Sequence, residues 1–253
     1  MRIEPEMEPQ RVALVTGGTQ GLGAAISNRL VADGNIVAAA YRRNDAAANA
    51  WCARANLEGV ASVHCADVGQ VDSCLGLVSE VVRRYGQVDY LVNNAGALVE
   101  RKVADIGFDE WDTSLRQNLS SAFYLTQAVL PAMIGQRFGR VVNIGSVSAA
   151  MGSAFQADYA AAKSGLIGLT RSLARSVARK GITVNCVVPG GFDTAIVDDM
   201  TLTDRSLIEQ SVPIGRFGRP EELAHVVVSL LHDQASYTTG SVIVVDGGLS
   251  MGT

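Results

Sequence analysis

The amino-acid sequence predicts an α/β fold, a single-domain, doubly wound parallel sheet of about seven strands with helices on both faces. Short runs rich in Val and Ile recur along the chain, and several are apolar at consecutive positions, as strands covered on both faces require. Longer segments with apolar residues at helical spacing lie between these runs. Alternation of strand and helix is typical of parallel sheets with right-handed crossovers.

The elements follow one another along the whole chain. The predicted strands are Val12–Val15, Ile36–Ala40, Ala61–Cys65, Tyr90–Val92, Arg140–Ile144, Thr183–Val188 and Val242–Val245. The predicted helices are Gly21–Ala32, Val71–Tyr85, Trp111–Ile134, Asp158–Arg179 and Glu221–Leu231. The segment Gly190–Phe217 has the least regular pattern and follows the sixth strand, so we expect it to form a mobile lid over a site.

The composition is that of a folded chain. The 253 residues are 48% hydrophobic and 18% charged, with a formal net charge of -4. This is too apolar for a disordered protein, and one domain spanning residues 1–253 is expected. A mild negative charge argues against nucleic acid as a partner, because binding to phosphates needs a basic face.

Location and metal content can also be anticipated. The N-terminal MRIEPEMEPQ is acidic and lacks an apolar stretch, and no apolar run approaches the roughly 18 residues of a membrane span, so we expect no signal peptide, no membrane partner and a cytoplasmic location. Cys52, Cys65, Cys74 and Cys186 form no C-x-x-C pattern, and the histidines are scattered. We therefore expect neither a disulfide framework nor a metal site.

A glycine-rich turn joins the first strand to the first helix. The chain has 26 glycines and only 6 prolines, which favours glycines placed singly where the backbone turns or is approached closely. A strand, a glycine turn and a helix N-terminus together favour binding of a dinucleotide pyrophosphate, and an ordinary βα turn is the alternative. The predicted cofactor contacts here are Thr16, Gly17, Thr19, Gln20, Gly21, Leu22 and Gly23.

The second strand ends in Tyr41, Arg42 and Arg43. In dinucleotide-binding folds this position faces the adenosine ribose, where a carboxylate selects NAD and an arginine accommodates the 2′-phosphate of NADP. Two arginines and no carboxylate therefore favour NADPH over NADH, unless the arginines are only solvated surface charges. We expect nearby Asp45 to cap the next helix.

Polar and small residues follow the third and fourth strands. Asp67, followed by Val68, can accept a hydrogen bond from the adenine amino group or can cap the next helix. Asn94, Ala95 and Gly96 permit close approach of the adenosine side of a cofactor, although Asn and Gly are also the usual residues of turns.

Tyr159 and Lys163 have the spacing that puts two side chains on one face of a helix. An ammonium beside a phenol favours the phenolate and lowers its pKa, so the pair can exchange a proton near neutrality. Ser146 lies at the end of the fifth strand, where its hydroxyl could hold a substrate carbonyl. Ser148, two residues further along, is the alternative serine for holding the carbonyl.

With these motifs the sequence resembles the short-chain dehydrogenase/reductase family over nearly its whole length. The resemblance implies a catalytic tetrad of Asn118, Ser146, Tyr159 and Lys163. Tyr159 is then the general acid, Lys163 holds the nicotinamide ribose, Ser146 orients the carbonyl and Asn118 supports a proton relay. Pro189, Gly190 and Thr194 match further cofactor-binding positions, and Ser146 rather than Ser148 has the family's spacing.

Within the family the sequence is most similar to 3-oxoacyl-acyl-carrier-protein reductases and acetoacetyl-CoA reductases. That implies NADPH-dependent reduction of an acyl thioester in fatty acid biosynthesis, docking of an acidic carrier protein by Arg137 and Lys180 beside the site, and a homotetramer. The tail around Met251 resembles the family's subunit-interface tail. Three residues depart from the pattern: Lys180 stands where Arg is usual, Gln20 where NADP-dependent members often have a cation, and Gly191 where a bulkier residue is usual.

Alternatives remain open at this point. The same scaffold and tetrad serve secondary-alcohol dehydrogenases and polyketide or quinone ketoreductases, so the substrate must be argued from the site. A dinucleotide-sensing regulator is the non-enzyme alternative, which the intact tetrad disfavours.

Overall fold

Seven parallel strands form one sheet at the centre of the structure. The structure, a computed structural model, describes residues 10–54, 60–194 and 202–251, without the side chains of residues 202–204. The strands are β1 (Val12–Thr16), β2 (Ile36–Tyr41), β3 (Ala61–Cys65), β4 (Tyr90–Asn93), β5 (Gly139–Ile144), β6 (Ile182–Pro189) and β7 (Val242–Val245). Their order across the sheet is β3-β2-β1-β4-β5-β6-β7.

Helices connect the strands and follow them. The described helices are α1 (Gly21–Ala32), α2 (Asp45–Arg54), α3 (Val71–Tyr85), α4 (Phe108–Leu115), α5 (Ser121–Gln136), α6 (Ser148–Met151), α7 (Ala157–Val177), α8 (Leu202–Ser211) and α9 (Pro220–Ser229). A π-helical turn, Arg116–Ser120, joins α4 to α5. Shorter 3-10 turns lie at Val103–Asp105, Ala178–Lys180 and Asp233–Ala235.

The sheet is buried on both faces. Neighbouring residues of β1 enter different cores: Ala13 and Val15 pack with α1 and α9, whereas Val12 and Leu14 pack with α3, α5 and α7. Both cores are nearly free of solvent along β1. This explains the continuous apolar runs in the sequence, because each strand must present an apolar side chain to helices above and below it.

The connections reverse direction between β1 and β4. From β1 the chain proceeds outward through β2 to β3, then crosses back to β4 and continues outward to β7. β1 pairs with β2 on one side and with β4 on the other, so Val15 lies between Ala39 and Val92. The crevice at the carboxyl end of these strands is where ligands bind in open α/β sheets.

The predicted fold class and all seven strands are confirmed, and no strand begins or ends more than one residue from its predicted position. The predicted helix Trp111–Ile134 is interrupted by the π-helical turn and begins earlier, at Phe108. Helix α2 begins where Asp45 had been expected as a cap, and the cap is instead Asn44, whose Oδ1 accepts from the Ala47 amide at 3.0 Å.

The segment Gly190–Phe217 is more regular than its pattern indicates, because it contains α8. Residues 195–201, on which the predicted lid partly falls, lie outside the described residues. Within the described ranges no helix is long and apolar enough to cross a membrane.

Candidate active site

A cleft of about 410 Å³ opens at the carboxyl ends of β1, β2, β3 and β4. Predicted cofactor residues form most of its wall: Gly17, Thr19, Gln20, Tyr41, Arg42, Arg43, Asp67, Val68, Ala95 and Gly96. The remaining lining residues escaped prediction: Ala40, Asn44, Ala66, Ala97 and Gln117. Three of these are alanines with no chemical signal in the sequence, so only their position after the strands could have identified them.

The glycine turn after β1 has a shape that other residues would not adopt. Gly17 and Gly21 have φ of +62° and +52°, in the left-handed region that favours glycine. A Cβ on Gly23 would collide with the Gly17 carbonyl oxygen. Gln20, the N-cap of α1, makes no side-chain hydrogen bond to the first turn, so the first amides of α1 remain available to an anion. The turn therefore fits a pyrophosphate.

Thr16 and Asn94 join the ends of β1 and β4 instead of lining the cleft. The Thr16 hydroxyl accepts from the amides of Asn94 and Ala95 at 3.0 and 2.9 Å, and donates to the Val92 carbonyl at 3.3 Å. The Asn94 side chain donates to the Thr16 carbonyl at 2.8 Å. The two residues therefore support the cleft by holding the ends of β1 and β4 together.

Arg42 and Arg43 line the cleft at the end of β2. Arg42 Nη1 lies 3.9 Å from Asp67 Oδ1, and the same carboxylate oxygen accepts from the Gly69 amide at 3.0 Å. Asp67 therefore holds the turn before α3 and faces Arg42, whereas the N-cap of α3 is Gln70. A hydrogen bond with Asp45 raises the pKa of Tyr41.

Asn118 lies in the π-helical turn between α4 and α5 and is buried. Its Oδ1 accepts from the Ala97 amide at 3.0 Å, and its Nδ2 donates to the Ala97 carbonyl at 2.9 Å. The side chain therefore bonds both polar groups of one residue in the loop after β4. A π-helical turn commonly marks a functional position, and here it brings Asn118 beside Gly96, where a Cβ would lie 2.7 Å from Oδ1.

Tyr159, Lys163 and Ser146 lie together at the junction of β5 and α7. Burial raises the pKa of Tyr159, and a hydrogen bond with Ser146 opposes that rise. The predicted lowering of this pKa by Lys163 is thus not what the geometry gives. The Lys163 ammonium donates to the Ile144 carbonyl at 2.8 Å and lies 5.6 Å from the centroid of the Tyr159 ring. The phenol is therefore held in its protonated form.

Burial dominates the ionisation of Lys163. Its side chain is enclosed by protein, and this desolvation lowers the pKa of the ammonium to about 8. A polar network behind it orients α7, since Asn143 Nδ2 donates to Thr170 Oγ1 at 2.9 Å and Asn143 Oδ1 accepts from Asn93 Nδ2 at 2.9 Å. This chain of buried amides links β4, β5 and α7.

The end of β6 borders the same region. The Pro189 carbonyl accepts from the Val147 amide at 3.0 Å, next to Ser146, and a Cβ on Gly190 would meet Asp246 at 2.7 Å. Thr194 lies across the glycine turn, because a Cβ on Gly21 would be 3.8 Å from its Cγ2. Leu22 points away from the cleft and packs against the core beside α1.

Gly191 has a packing explanation. A Cβ at this position would lie 2.9 Å from Cε1 of the buried Phe217. The neighbouring Phe192 forms a β-bridge with Gly218 and is also buried. The small residue thus makes room for an aromatic ring that ties together the two ends of the segment containing α8.

Arg137 and Lys180 lie next to each other but far from the tetrad. Arg137 ends α5 with φ +56°, and a Cβ on Gly181, beside Lys180, would collide with its carbonyl oxygen. Both residues precede their strands, β5 and β6, so they occupy the amino edge of the sheet. A six-residue strand spans about 20 Å, so within one chain the expectation that this pair lies beside the site is wrong.

The cysteines Cys52, Cys65, Cys74 and Cys186 are all free. Among the described residues no cluster of three or more His, Cys, Asp or Glu side chains has the arrangement of a metal site.

Comparison with known proteins matches residues 17–250 to the family described as enoyl-(acyl carrier protein) reductase. The chain is 42% identical over 242 residues to the 3-oxoacyl-[acyl-carrier-protein] reductase FabG of Salmonella typhimurium, covering 95% of this chain and 98% of the relative. It is 41% identical to the Nodulation protein G of Azospirillum brasilense with the same coverage. It is also 41% identical to the acetoacetyl-CoA reductase of Shinella zoogloeoides, over 94% of this chain and 98% of the relative.

We expect Lys163 to lose its proton near pH 8. The pKa of this lysine is about 8 in the folded chain and near 10.5 when solvated, so between those values the unfolded chain binds more protons. The contribution of Lys163 to the free energy of unfolding should therefore rise with pH across that window. NMR of ε-¹³C-lysine should reveal a resonance that titrates near pH 8 and is missing from Lys163→Met; a Lys163 resonance that titrates near 10.5 would contradict the prediction.

Proposed function

The chain belongs to the short-chain dehydrogenase/reductase family and is an NAD(P)-dependent oxidoreductase, and on that premise we propose that it reduces the 3-oxo group of an acyl thioester with NADPH. The observation that carries the proposal is the junction of β5 and α7, where a buried ammonium, a protonated phenol and a serine hydroxyl lie together. The ammonium of Lys163 lies next to Gly96, which lines the cleft. These groups can bind a carbonyl and deliver a proton to it.

The cleft has the chemistry to hold the cofactor. The glycine turn with the open N-terminus of α1 would take the pyrophosphate, and Arg42 and Arg43 would take the 2′-phosphate of the adenosine ribose. Asp67 and Val68 would bound the adenine, while Pro189, Gly190 and Thr194 would lie at the nicotinamide end. When bound, the nicotinamide supplies the hydride for reduction.

Tyr159 is the proposed general acid. Its raised pKa keeps the phenol protonated at neutral pH, so its hydroxyl can donate a hydrogen bond to the substrate carbonyl oxygen and then the proton itself. The Ser146 hydroxyl bonds the same oxygen and orients it. Their mutual hydrogen bond partly offsets the burial of the phenol, because it stabilises the phenolate that remains after transfer.

Lys163 and Asn118 would support this proton transfer. Below pH 8 the buried Lys163 is an ammonium, whose bond to the Ile144 carbonyl holds α7, and with it Tyr159, against the end of β5. It would also hold the hydroxyls of the nicotinamide ribose. Asn118 bonds both backbone polar groups of Ala97 and so holds the loop after β4 in place. A proton relay toward Lys163 would pass beside Gly96 of this loop.

The substrate class rests on the relatives and on exposed apolar side chains. Two of the relatives are named for reduction of 3-oxoacyl-carrier-protein and acetoacetyl-CoA. Leu98 and Val99 on the loop after β4, Met151 at the end of α6 and Phe155 on the loop between α6 and α7 are each more than 40% exposed. Such side chains beside Ser146 and Tyr159 suit an acyl chain. Reduction of a carrier-linked chain would belong to cytoplasmic fatty acid biosynthesis.

A carrier protein would dock at the active site of another subunit. Arg137 and Lys180 occupy the amino edge of the sheet and their own tetrad the carboxyl edge, so an acidic carrier bound to this pair can serve only a neighbouring copy. A homotetramer would supply that copy. Large exposed apolar side chains mark two candidate interfaces, Phe108 with Phe123 on α4 and α5, and Val244 with Met251 near β7.

Tyr159→Phe should lower the turnover number for acetoacetyl-CoA by a factor of about 10² to 10⁴, because the general acid is lost. NADPH binding, measured by fluorescence, should be unchanged. Tyr85→Phe is the control, since the Tyr85 hydroxyl is buried with no hydrogen-bond partner among the described residues. Near wild-type turnover in Tyr159→Phe would refute the mechanism. A panel of NADPH oxidation rates with thioesters, ketones and quinones tests the substrate class, and preference for a quinone would exclude the thioester assignment.

Replacing both Arg42 and Arg43 with Ala should weaken NADPH binding by about ten- to a hundredfold more than NADH binding, because charge-assisted hydrogen bonds to the 2′-phosphate are lost. Isothermal titration with each cofactor measures the two dissociation constants. Arg29→Ala on the exposed surface of α1, where Arg29 pairs with Asp33 at 3.0 Å, is the control. Equal weakening of both cofactors would show that the arginines do not read the phosphate.

Reversing the charges of Arg137 and Lys180 to Glu should raise KM for a carrier-bound 3-oxoacyl substrate about tenfold and leave KM for acetoacetyl-CoA unchanged, because only the carrier offers an acidic surface. Arg83→Glu with Arg84→Glu, in the last turn of α3, makes the same change in net charge elsewhere. If that control raises KM equally, the effect belongs to net charge and carrier docking at Arg137 is excluded.

A further inference from the structure

Ser148 belongs to a hydrogen-bond chain beside the proposed site. Its hydroxyl donates to Gln156 Oε1 at 3.0 Å, and Gln156 Nε2 donates to Glu100 Oε1 at 3.1 Å. Its backbone amide donates to Ser146 Oγ at 3.2 Å. We propose that Ser148 is a positioning residue which, braced by Gln156 and Glu100, fixes the orientation of Ser146 toward Tyr159. The inference rests on the proposed function, because it concerns how that site is held ready.

Glu100 determines which group donates and which accepts at each step of the hydrogen-bond chain. A carboxylate only accepts hydrogen bonds, so the amide nitrogen of Gln156 must face Glu100 and the amide oxygen must face Ser148. The single hydroxyl proton of Ser148 is consequently committed to Gln156. Ser148 has no proton left for a substrate, which answers why two serines this close together do not compete for the same carbonyl.

The amide of Ser148 in turn limits what Ser146 can do. A serine hydroxyl has one proton and two lone pairs, and the Ser148 N–H occupies one of those lone pairs. The hydroxyl proton of Ser146 remains available to Tyr159, and their hydrogen bond opposes the rise that burial causes in the pKa of Tyr159. Rotation of the Ser146 side chain would break the bond from the Ser148 amide.

Gln156 connects three segments of the chain. Its carbonyl accepts from the Ala160 amide at 2.7 Å, so it starts the helix that carries Tyr159. Its side chain reaches the turn that carries Ser148 and the loop that carries Glu100. The same loop is joined by the Arg101 amide, which donates to the Phe155 carbonyl at 2.7 Å. Loss of the Ser148 hydroxyl would remove the side-chain bond between the Ser146 turn and Gln156, and with it the link of this turn to Glu100.

The decisive variant is Ser148→Ala, assayed with acetoacetyl-CoA and NADPH. We expect kcat to fall about three- to tenfold, the effect of losing one partly buried hydrogen bond, with KM and the NADPH dissociation constant unchanged. The pH profile of the reverse oxidation should move to higher pH, because a less firmly held Ser146 stabilises the Tyr159 phenolate less. Ser148→Thr retains the hydroxyl and should restore both kcat and the pH profile.

Two further variants separate positioning from general disturbance. Gln156→Leu removes the acceptor, so adding Ser148→Ala to it should lower kcat no further. Ser153→Ala, in the same loop but outside the chain, should match the wild type. The proposal would be overturned if Ser148→Ala had the kcat and pH profile of the wild type. It would also be overturned if Ser148→Thr or Ser153→Ala showed the same defect, or if the two changes in the double variant were additive. If Ser148→Ala did not fold, an unchanged pH profile in Gln156→Leu would overturn the proposal. Absence of thioester reduction by the wild type would instead refute the proposed function.

Discussion

The hydrogen bonds between the ends of β1 and β4 are the interaction on which the site depends. Two amides of the loop after β4 bond to the Thr16 hydroxyl, and the Asn94 side chain bonds back to the Thr16 carbonyl. These bonds fix the loop at the point where the chain reverses direction across the sheet. The glycine turn, the cleft and the seat of Asn118 all adjoin this clamp, so one threonine and one asparagine hold the cofactor side together.

The proposed catalytic residues are held by buried, hydrogen-bonded polar groups. Lys163 is enclosed and bonded to the end of β5, while amides of Asn93 and Asn143 connect β4 and β5 to Thr170 on α7. Buried polar groups are costly unless they are hydrogen-bonded, so such a network permits few alternative positions for α7. Tyr159 and Ser146 are held in place because they lie on α7 and at the end of β5. The hydrogen-bond chain through Ser148 connects them to the exposed loops where a substrate would enter.

Much of the fold and of the proposed site could be anticipated because its signals are local. Apolar runs mark buried strands, and a position with positive φ such as Gly17 favours glycine, which is visible in the sequence. Helix α2 lacks such a signal, since only Ala48 and Trp51 on it are buried and no apolar stripe marks its face. The π-helical turn at Asn118 and the lining residue Gln117 likewise depend on how α4 and α5 pack, which periodicity along one helix does not encode.

By itself the sequence determined the doubly wound sheet, ten of the fifteen residues that line the cleft and the pairing of Tyr159 with Lys163, because each follows from position within or just after one strand or helix. Tertiary structure decided what depends on contacts between distant segments. Burial raises the pKa of Tyr159, and the Ser148 hydroxyl donates its hydrogen bond to Gln156. Arg137 and Lys180 lie at the amino edge of the sheet, opposite the tetrad. Desolvation and direction across a sheet are properties of the assembled chain, and residue spacing does not contain them.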